Sequence, residues 1–205
     1  MEVVFFMLKI RFATDLDAIG VHDIYAPYVA FTSVTFEYDT PRPFEMKRRI
    51  NSIRNKYPYL VCEADDGRIA GYAYAHNFFT RAAYAWDAEL SVYIHDDFQR
   101  CNIASALYYA VIELLKMQGF CNVFARVTVP NEKSLAFHTA FGFSTVGVLH
   151  NAGYKLNEWH DVTILEKALR DDWNHAPHEI APITSIPQAD AEKIFSNADK
   201  IIRQK

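Results

Sequence analysis

Along the chain, stretches in which apolar residues alternate with polar ones are interspersed with stretches in which apolar residues recur every three or four positions. Alternating apolar and polar residues, or short apolar runs, predict strands over 9–14, 59–65, 69–78, 89–95 and 121–129. Apolar residues three and four apart predict helices over 15–31, 44–57, 103–118 and 131–141. Gly119 and Gly142 end the last two helices, and residues 145–169 are typical of two closing strands. The order βααβββαβαββ predicts one α/β (α+β) domain with a mixed central sheet flanked by helices.

The first predicted helix has a capping residue and an apolar stripe. Thr14 precedes the helix and can accept a hydrogen bond from its first amides. We expect the buried face of the helix to consist of Leu16, Ile19, Ile24 and Tyr28.

The character of the sequence changes after Leu169. The next stretch is rich in proline and has no period, and residues 190–205 can then form a terminal helix. The apolar face of that helix is predicted at Ile194, Ile201 and Ile202. We interpret 8–169 as the domain and 170–205 as an appendage, without which the core is expected to be complete.

The composition is that of a packed globular protein. The 205 residues suffice for one domain with a full core, and 51% of them are hydrophobic. The net charge of −4 indicates no basic surface for nucleic acid and no charged tail for a partner.

The cysteines and the N-terminal residues bear on the cellular compartment. Cys62, Cys101 and Cys121 form no CxxC pair, which argues against a disulfide framework and against a zinc site. The first ten residues lack the basic start and long apolar core of a signal peptide, and no apolar run approaches bilayer length. We therefore expect a cytoplasmic protein with no metal and no membrane partner.

A polar turn at the start of the third helix is the first candidate for chemistry. Residues 99–105 separate a predicted strand from a predicted helix. The N-terminus of a helix exposes backbone N–H groups and the positive end of the helix dipole, so such a turn can hold a phosphate or pyrophosphate. The alternative is an ordinary loop that enters a core helix.

The strand before this turn carries the second candidate. Its alternation places Glu89, Ser91 and Tyr93 on one face, opposite Leu90, Val92 and Ile94. A carboxylate among aromatic residues is costly to bury unless it has a partner or a task, and burial makes it a stronger base. Glu89 is therefore either a general base or the partner of Arg81 or of another cation.

The segments around these candidates resemble the GNAT N-acetyltransferases. The shared pattern is the strand "VYI", a turn with small residues, a helix, a strand, and then an Asn before a short helix that ends in Gly-Phe. The similarity is closer to one branch, the phosphinothricin and methionine sulfoximine acetyltransferases, over the segments 32–37, 57–63, 69–75, 81–94, 118–120, 130–143 and 152–162. It covers roughly residues 8–169 and implies a single GNAT-like domain.

The resemblance implies that acetyl-CoA is the co-substrate and that no metal is needed. Backbone groups of Val92 and Ile94 are expected to pair with the pantetheine arm, and Asn131 and Ser134 to reach it. The amides expected to hold the pyrophosphate belong to Gln99, Arg100, Cys101, Asn102, Ile103, Ala104 and Ser105.

One residue of the turn departs from the family pattern. Asn102 stands where the family has its first turn glycine, whereas Ala104 satisfies the second small position. Asn tolerates left-handed backbone better than other non-glycine residues, so we expect a usable turn.

The resemblance also implies the catalytic residues. Glu89 is expected to take a proton from the substrate amine, directly or through a water. His138 stands where many members have a tyrosine, and it is expected to protonate the leaving thiolate. A histidine hydrogen-bonded in the core is the alternative for His138.

For the substrate, the aligned segment "RAAYAWDAE" implies that Arg81 grips a carboxylate, because guanidinium and carboxylate form a bidentate pair. Tyr84, Tyr93 and Phe36 are expected to line the substrate site. A supporting role near the site is expected for Trp159, His160 and Asp161, with the tryptophan in the core.

The predicted activity is acetyl transfer to the α-amino group of a small amino acid or analogue. The alternatives are a protein N-terminus or a polyamine as acceptor, and a non-catalytic acyl-CoA-binding module. A polyamine has no carboxylate, so dependence on Arg81 distinguishes it from an amino acid. The branch also implies a homodimer.

Overall fold

A computed structural model of the chain describes residues 7–203. Its strands are β1 (Leu8–Phe12), β2 (Tyr59–Ala64), β3 (Ile69–Asn77), β4 (Asp87–Ile94), β5 (Asn122–Val129), β6 (Ser144–Lys155) and β7 (Glu158–Ala168). Its α-helices are α1 (Ala18–Phe31), α2 (Pro43–Ile53), α3 (Ile103–Gln118), α4 (Glu132–Ala140) and α5 (Gln188–Asp199). The order from β1 to β7 is the predicted one, and α5 follows it.

The seven strands form one mixed sheet that is divided in its middle. Its order is β1-β2-β3-β4-β5-β7-β6, and β4 and β5 are its parallel neighbours. These two strands are joined over three residue pairs, of which the last is Glu89 with Phe124. β4 stays paired with β3 as far as Ile94, and β5 with β7 as far as Val129. The two strands therefore part beyond Glu89 and leave a gap in the sheet.

Each face of the sheet carries its own apolar core. Successive strand residues point to opposite faces. On β2, Leu60 and Cys62 belong to the core beneath α3, whereas Tyr59 and Val61 pack with α1 and α2. The helices therefore flank the sheet on both sides, as predicted.

The start of the first helix differs from the prediction. Thr14 caps it as expected, but Asp15–Asp17 form a 3-10 turn before α1 begins. A 3-10 turn has about 3.0 residues per turn and an α-helix about 3.6, so the two are out of phase. Leu16 and Ile19 consequently point to solvent and are 85% and 64% exposed. The predicted stripe is wrong for these two residues, and the buried face consists of Ala18, Val21, Ile24, Tyr25 and Val29.

The segment after β7, which we call the tail (170–203), lies along α3. At the C-terminal end of α3, the Ala181 N–H donates to the Gln118 carbonyl (2.9 Å), and Gln118 Nε2 donates to the Ala181 carbonyl (2.7 Å). α5 then runs back, and the Arg203 N–H donates to the Cys101 carbonyl (2.9 Å) just before α3 begins. The tail thus contacts both ends of α3.

Side chains of the tail are part of the core beneath α3. The buried ones are Ile183, Ala191, Ile194, Ala198 and Ile202. Ile201, also predicted on the apolar face, is half-buried, and residues 204 and 205 lie outside the described residues. The expectation that the core is complete without the tail is wrong, because the apolar face of the terminal helix packs into the core beneath α3.

The remaining expectations about the chain ends are only partly covered. Residues 1–6, which belong to the stretch that lacks signal-peptide features, lie outside the described residues. Within residues 7–203, no helix combines the length and hydropathy that a membrane span requires. Cys62, Cys101 and Cys121 are buried free thiols.

Candidate active site

The gap between β4 and β5 opens into a cleft of about 450 Å³. The polar and aromatic residues that line it include Tyr25, Thr35, Tyr74, Ser91, Tyr108, Arg126 and Thr128. The predicted site residues that line it are Phe36, Glu89, Val92, Tyr93, Asn131, Ser134 and His138. A cleft of this volume suits a small ligand.

Glu89 lies at the point where β4 and β5 part. It is buried, with 6% of its surface exposed, and Arg126 of β5 forms a bidentate ion pair with its carboxylate. Arg126 Nε donates to Oε1 at 2.7 Å and a terminal guanidinium nitrogen donates to Oε2 at 2.6 Å. His76 Nε2 is 4.0 Å from the same Oε2. The cation beside Glu89 is therefore Arg126 and not Arg81, and the hydrogen bond to Glu89 raises the pKa of Arg126.

His138 lies in the cleft wall, held between two partners. Its Nδ1 is 2.7 Å from the Ser134 carbonyl, which can only accept, so the imidazole proton lies on Nδ1. Its Nε2 then accepts from the Tyr108 hydroxyl at 2.9 Å. Burial lowers the pKa of His138 and raises the pKa of Tyr108 well above its ordinary value, with the charge of Glu89 adding to the second shift. Both side chains are therefore neutral near neutral pH, and the proton between them belongs to Tyr108.

The turn before α3 has the geometry of an anion site. Asn102 has φ 59° and Arg100 has φ 67°, so both adopt left-handed backbone, as expected for Asn102. The first intrahelical hydrogen bond of α3 runs from the Ala106 N–H to the Asn102 carbonyl at 3.0 Å, so the N–H groups of residues 103–105 precede the hydrogen-bonded ladder of the helix. Uncovered amides at a helix N-terminus fit a pyrophosphate.

The residues expected beside a pantetheine arm lie on both sides of the gap. Beyond Glu89, β4 has no β5 partner, so the backbone at Val92 borders the gap. The Ile94 carbonyl accepts a hydrogen bond from the Tyr28 hydroxyl at 2.9 Å. Across the gap, Asn131 caps α4, and its Oδ1 accepts from the Ser134 N–H at 3.1 Å. An extended chain laid in the gap would have strand-like backbone on one wall and α4 on the other.

Two of the predicted substrate residues lie elsewhere. Arg81 and Tyr84 line a separate pocket of about 240 Å³ with Lys56 and Asn77. The 3-10 turn Ala82–Tyr84 connects β3 to β4, so it precedes the paired end of β4, whereas the gap opens at the other end. Neither side chain lines the cleft in the described chain, so their place beside the reacting amine stays a prediction.

Phe36 is fixed by the strand beneath it. A Cβ on Gly153 would lie within the ring of Phe36, 2.2 Å from Cε2, so the ring requires a glycine there. Lys155 of the same strand is buried, and its Nζ donates to the Thr35 carbonyl at 2.7 Å. Burial lowers the pKa of Lys155. β6 thus positions the loop that carries Phe36.

The closing strands differ partly from the prediction. Trp159 is 63% exposed, so its expected place in the core is wrong. It packs against Tyr154 across the β6–β7 pair. His160 is buried, and Asp161 accepts hydrogen bonds from His150 Nδ1 and from the Asn151 N–H. His160 and Asp161 therefore support the hairpin of β6 and β7.

Sequence reasoning missed Arg126 and Tyr108. Alternation on β5 buries Val123, Ala125 and Val127 and leaves Arg126 on the other face, where Glu89 of the parallel neighbour also points. That alternation is readable from the sequence, but the pairing of β5 with β4 is not. Tyr108 follows Leu107 in an apolar helix and is indistinguishable there from a core aromatic.

Comparisons with known proteins identify the family. A family model described as an acetyltransferase (GNAT) domain matches residues 10–164. A phosphinothricin N-acetyltransferase of Streptomyces viridochromogenes is 34% identical over 87% of this chain and 96% of its own. An L-methionine sulfoximine/L-methionine sulfone acetyltransferase of Pseudomonas paraeruginosa is 28% identical over 82% of this chain and 98% of its own.

A solved structure is similar along most of its length. It is a GNAT superfamily phosphinothricin acetyltransferase from Sinorhizobium meliloti in complex with AcCoA, with a TM-score of 0.81 and 29% identity. The match covers 87% of this chain and 97% of that one. By the family model and by the identity to the relative from Streptomyces viridochromogenes, the chain belongs to the GNAT acetyltransferase family.

Proposed function

We propose that the protein transfers the acetyl group of acetyl-CoA to the α-amino group of a small amino acid or analogue. Compounds of the phosphinothricin, methionine sulfone and methionine sulfoximine type are the class we favour, because relatives at 28–34% identity are named for them. The observation that carries the proposal is the buried Glu89 at the point where the sheet opens beside uncovered helix amides.

Acetyl-CoA fits the residues that border the gap. The amides of residues 100–105 would hold the pyrophosphate, and the backbone at Val92 would pair with the pantetheine arm. Asn131 and Ser134 would flank that arm from the other wall. When bound, the group supplies an acetyl thioester at the cleft, and the site needs no metal.

Glu89 is the proposed base. An α-ammonium must lose a proton before it can attack a carbonyl carbon, and a positioned carboxylate accepts that proton. The N–H bond breaks, an O–H bond forms on Glu89, and the nitrogen lone pair becomes available.

Tyr108 is the proposed proton donor toward the leaving thiolate, and His138 positions it. Its O–H turns from His138 Nε2 to the sulfur, the O–H bond breaks as an S–H bond forms, and the tyrosinate regains a proton from water. A neutral His138 has no proton on Nε2, so its acid role in the sequence-based prediction passes to the hydroxyl that it holds. Replacing Tyr108 by Phe should lower kcat more than replacing His138 by Gln, because the glutamine retains an acceptor. The reverse order would return the acid role to His138.

We also propose a homodimer in the cytoplasm. β6 is an outer edge of the sheet whose apolar side chains are exposed, notably Val146, Val148, Leu149 and Tyr154. Exposed apolar patches of this kind mark protein contacts. Buried free thiols are typical of a reducing compartment. The molar mass in solution, measured by light scattering, tests the dimer.

The test of the function is a thiol-release assay with acetyl-CoA against a panel of acceptors. Amino acids and sulfoximines should release CoA, whereas polyamines and peptides should not. Release with polyamines alone would favour the alternative acceptor. Binding of acetyl-CoA, seen as a rise in melting temperature with concentration, without release for any acceptor would favour the non-catalytic module.

A further inference from the structure

Glu89, the proposed base, is already paired with Arg126 in the cleft. Arg126 places two charge-assisted hydrogen bonds on Glu89, one on each carboxylate oxygen. Such charge-assisted bonds are the strong ones, and here they occupy both oxygens of the carboxylate. If Glu89 is to accept a proton, Arg126 has to release it.

Arg126 is accessible from the cleft, and it has the chemistry to take another partner. Its side chain is 51% exposed, against 8% for that of Glu89. Within residues 7–203, its one ion-pair partner is Glu89. Of the described residues that line the cleft, Arg126 alone is permanently charged positive. A guanidinium donates two hydrogen bonds to any carboxylate in the same bidentate geometry.

We propose, on the basis of the proposed function, that Arg126 binds the carboxylate of the substrate and thereby releases Glu89. The zwitterion of an amino acid matches the pair, because its ammonium complements Glu89 and its carboxylate complements Arg126. When the carboxylate takes the guanidinium, Glu89 exchanges one cation for another, the substrate ammonium. One N–H bond of that ammonium then breaks and an O–H bond forms on Glu89.

The exchange makes the carboxylate a condition of catalysis as well as of binding. An α-amide of the same amino acid carries the amine but leaves Arg126 on Glu89. The wild-type enzyme should therefore prefer the acid to the amide in kcat/KM. Arg81, the rival carboxylate ligand, lies in another pocket and should not set this preference.

The test compares Arg126→Gln with Arg81→Gln and with the surface control Arg48→Gln, whose parent side chain is 72% exposed. Each variant is assayed with one amino acid and its α-amide. In Arg126→Gln, KM for the acid should rise about 10- to 100-fold, the usual effect of losing charged hydrogen bonds. The acid-to-amide ratio should fall to near one, whereas KM for acetyl-CoA should stay at the wild-type value.

Several outcomes would overturn the inference. A preserved ratio in Arg126→Gln, or a ratio that collapses in Arg81→Gln instead, would remove Arg126 as the ligand. An equal rise in kcat/KM with the acid and with the amide in Arg126→Gln would show that Arg126 only shields Glu89, which also contradicts the inference.

A second measurement applies if a variant folds poorly or shows no turnover. The double variant Glu89→Gln/Arg126→Gln leaves no buried unpaired charge. The acid should raise the melting temperature of Glu89→Gln more than the amide does, and this difference should vanish in the double variant. A difference that persists would overturn the inference. Absence of thiol release by the wild type would count against the proposed function instead.

Discussion

The cleft and the tail meet the same helix, α3, in different ways. At the cleft, α3 contributes Tyr108, a buried hydroxyl bonded to a neutral histidine. At the tail, it contributes apolar side chains, and the tail is bonded by Gln118 at one end of α3 and by the Cys101 carbonyl just before the other. The groups buried at the cleft are polar and bonded to one another, whereas those buried at the tail are mostly apolar. We therefore expect cleft variants to change rate with little change in stability, and tail variants to do the reverse.

The largest effect is expected for Glu89→Gln. The change keeps the shape of the side chain and removes the proposed base, so kcat/KM should fall about 10²–10⁴-fold. The melting temperature should change little, because the Arg126 that loses its partner is half-exposed. Thiol release and thermal unfolding of the same preparation provide both readouts. A large loss of stability would mean that the cleft also holds the fold together.

On the tail side, Ile202→Ala should act on stability alone. Ile202 is 7% exposed, and truncation of a buried isoleucine typically costs about 2–5 kcal/mol. The melting temperature of a chain of this size shifts by about 2–4 °C per kcal/mol. Ile19→Ala is the matched control, since Ile19 is 64% exposed and its loss should cost less than about 0.5 kcal/mol. Equal costs for the two variants would contradict the role of the tail in the core.

His138→Phe tests the comparison between cleft and tail through the pH dependence of stability. Because burial lowers the pKa of His138, the folded protein resists protonation that the unfolded chain accepts. This contribution to stability is present above the unfolded pKa of about 6.5 and is lost as the pH falls below it, by at most about 1.4 kcal/mol per pH unit. Urea unfolding at about pH 7.5 and about pH 5.5 should show a smaller acid loss in the variant than in the wild type. If the variant loses as much stability at acid pH as the wild type does, a group other than His138 causes that loss.

The smallest effect is expected at the turn that links the two regions. Asn102 has left-handed backbone, which glycine adopts without steric cost. Asn102→Gly should bind acetyl-CoA at least as tightly as the wild type, with a stability change below about 1 kcal/mol. Asn102→Val should weaken binding, because a β-branched residue is strained there. Calorimetric titration measures both. Weaker binding of the glycine variant would mean that the asparagine side chain itself takes part.

Features that depend on local periodicity were predictable from the sequence. The alternation of β4 placed Glu89 and Tyr93 on the cleft face, and the place of Asn102 in the turn predicted its left-handed backbone. Features that depend on distant pairing were not predictable. Arg126 is 37 residues from Glu89, and only the parallel pairing of β5 with β4 brings them together. The 3-10 turn after β3 carries Arg81 away from the site although its aligned segment is similar to the family.

The parting of β4 and β5 gives the sheet two internal edges in addition to its outer ones. An edge strand offers unpaired backbone groups that another extended chain can join. Without a ligand, the backbone of β4 beyond Glu89 is such an edge, open to water on the side of β5. Amide hydrogen exchange should therefore be faster there than in the part of β4 that is paired with β5, and acetyl-CoA should slow it as a neighbouring strand would. A short extended peptide that matched this edge would compete with the co-substrate through backbone contacts alone.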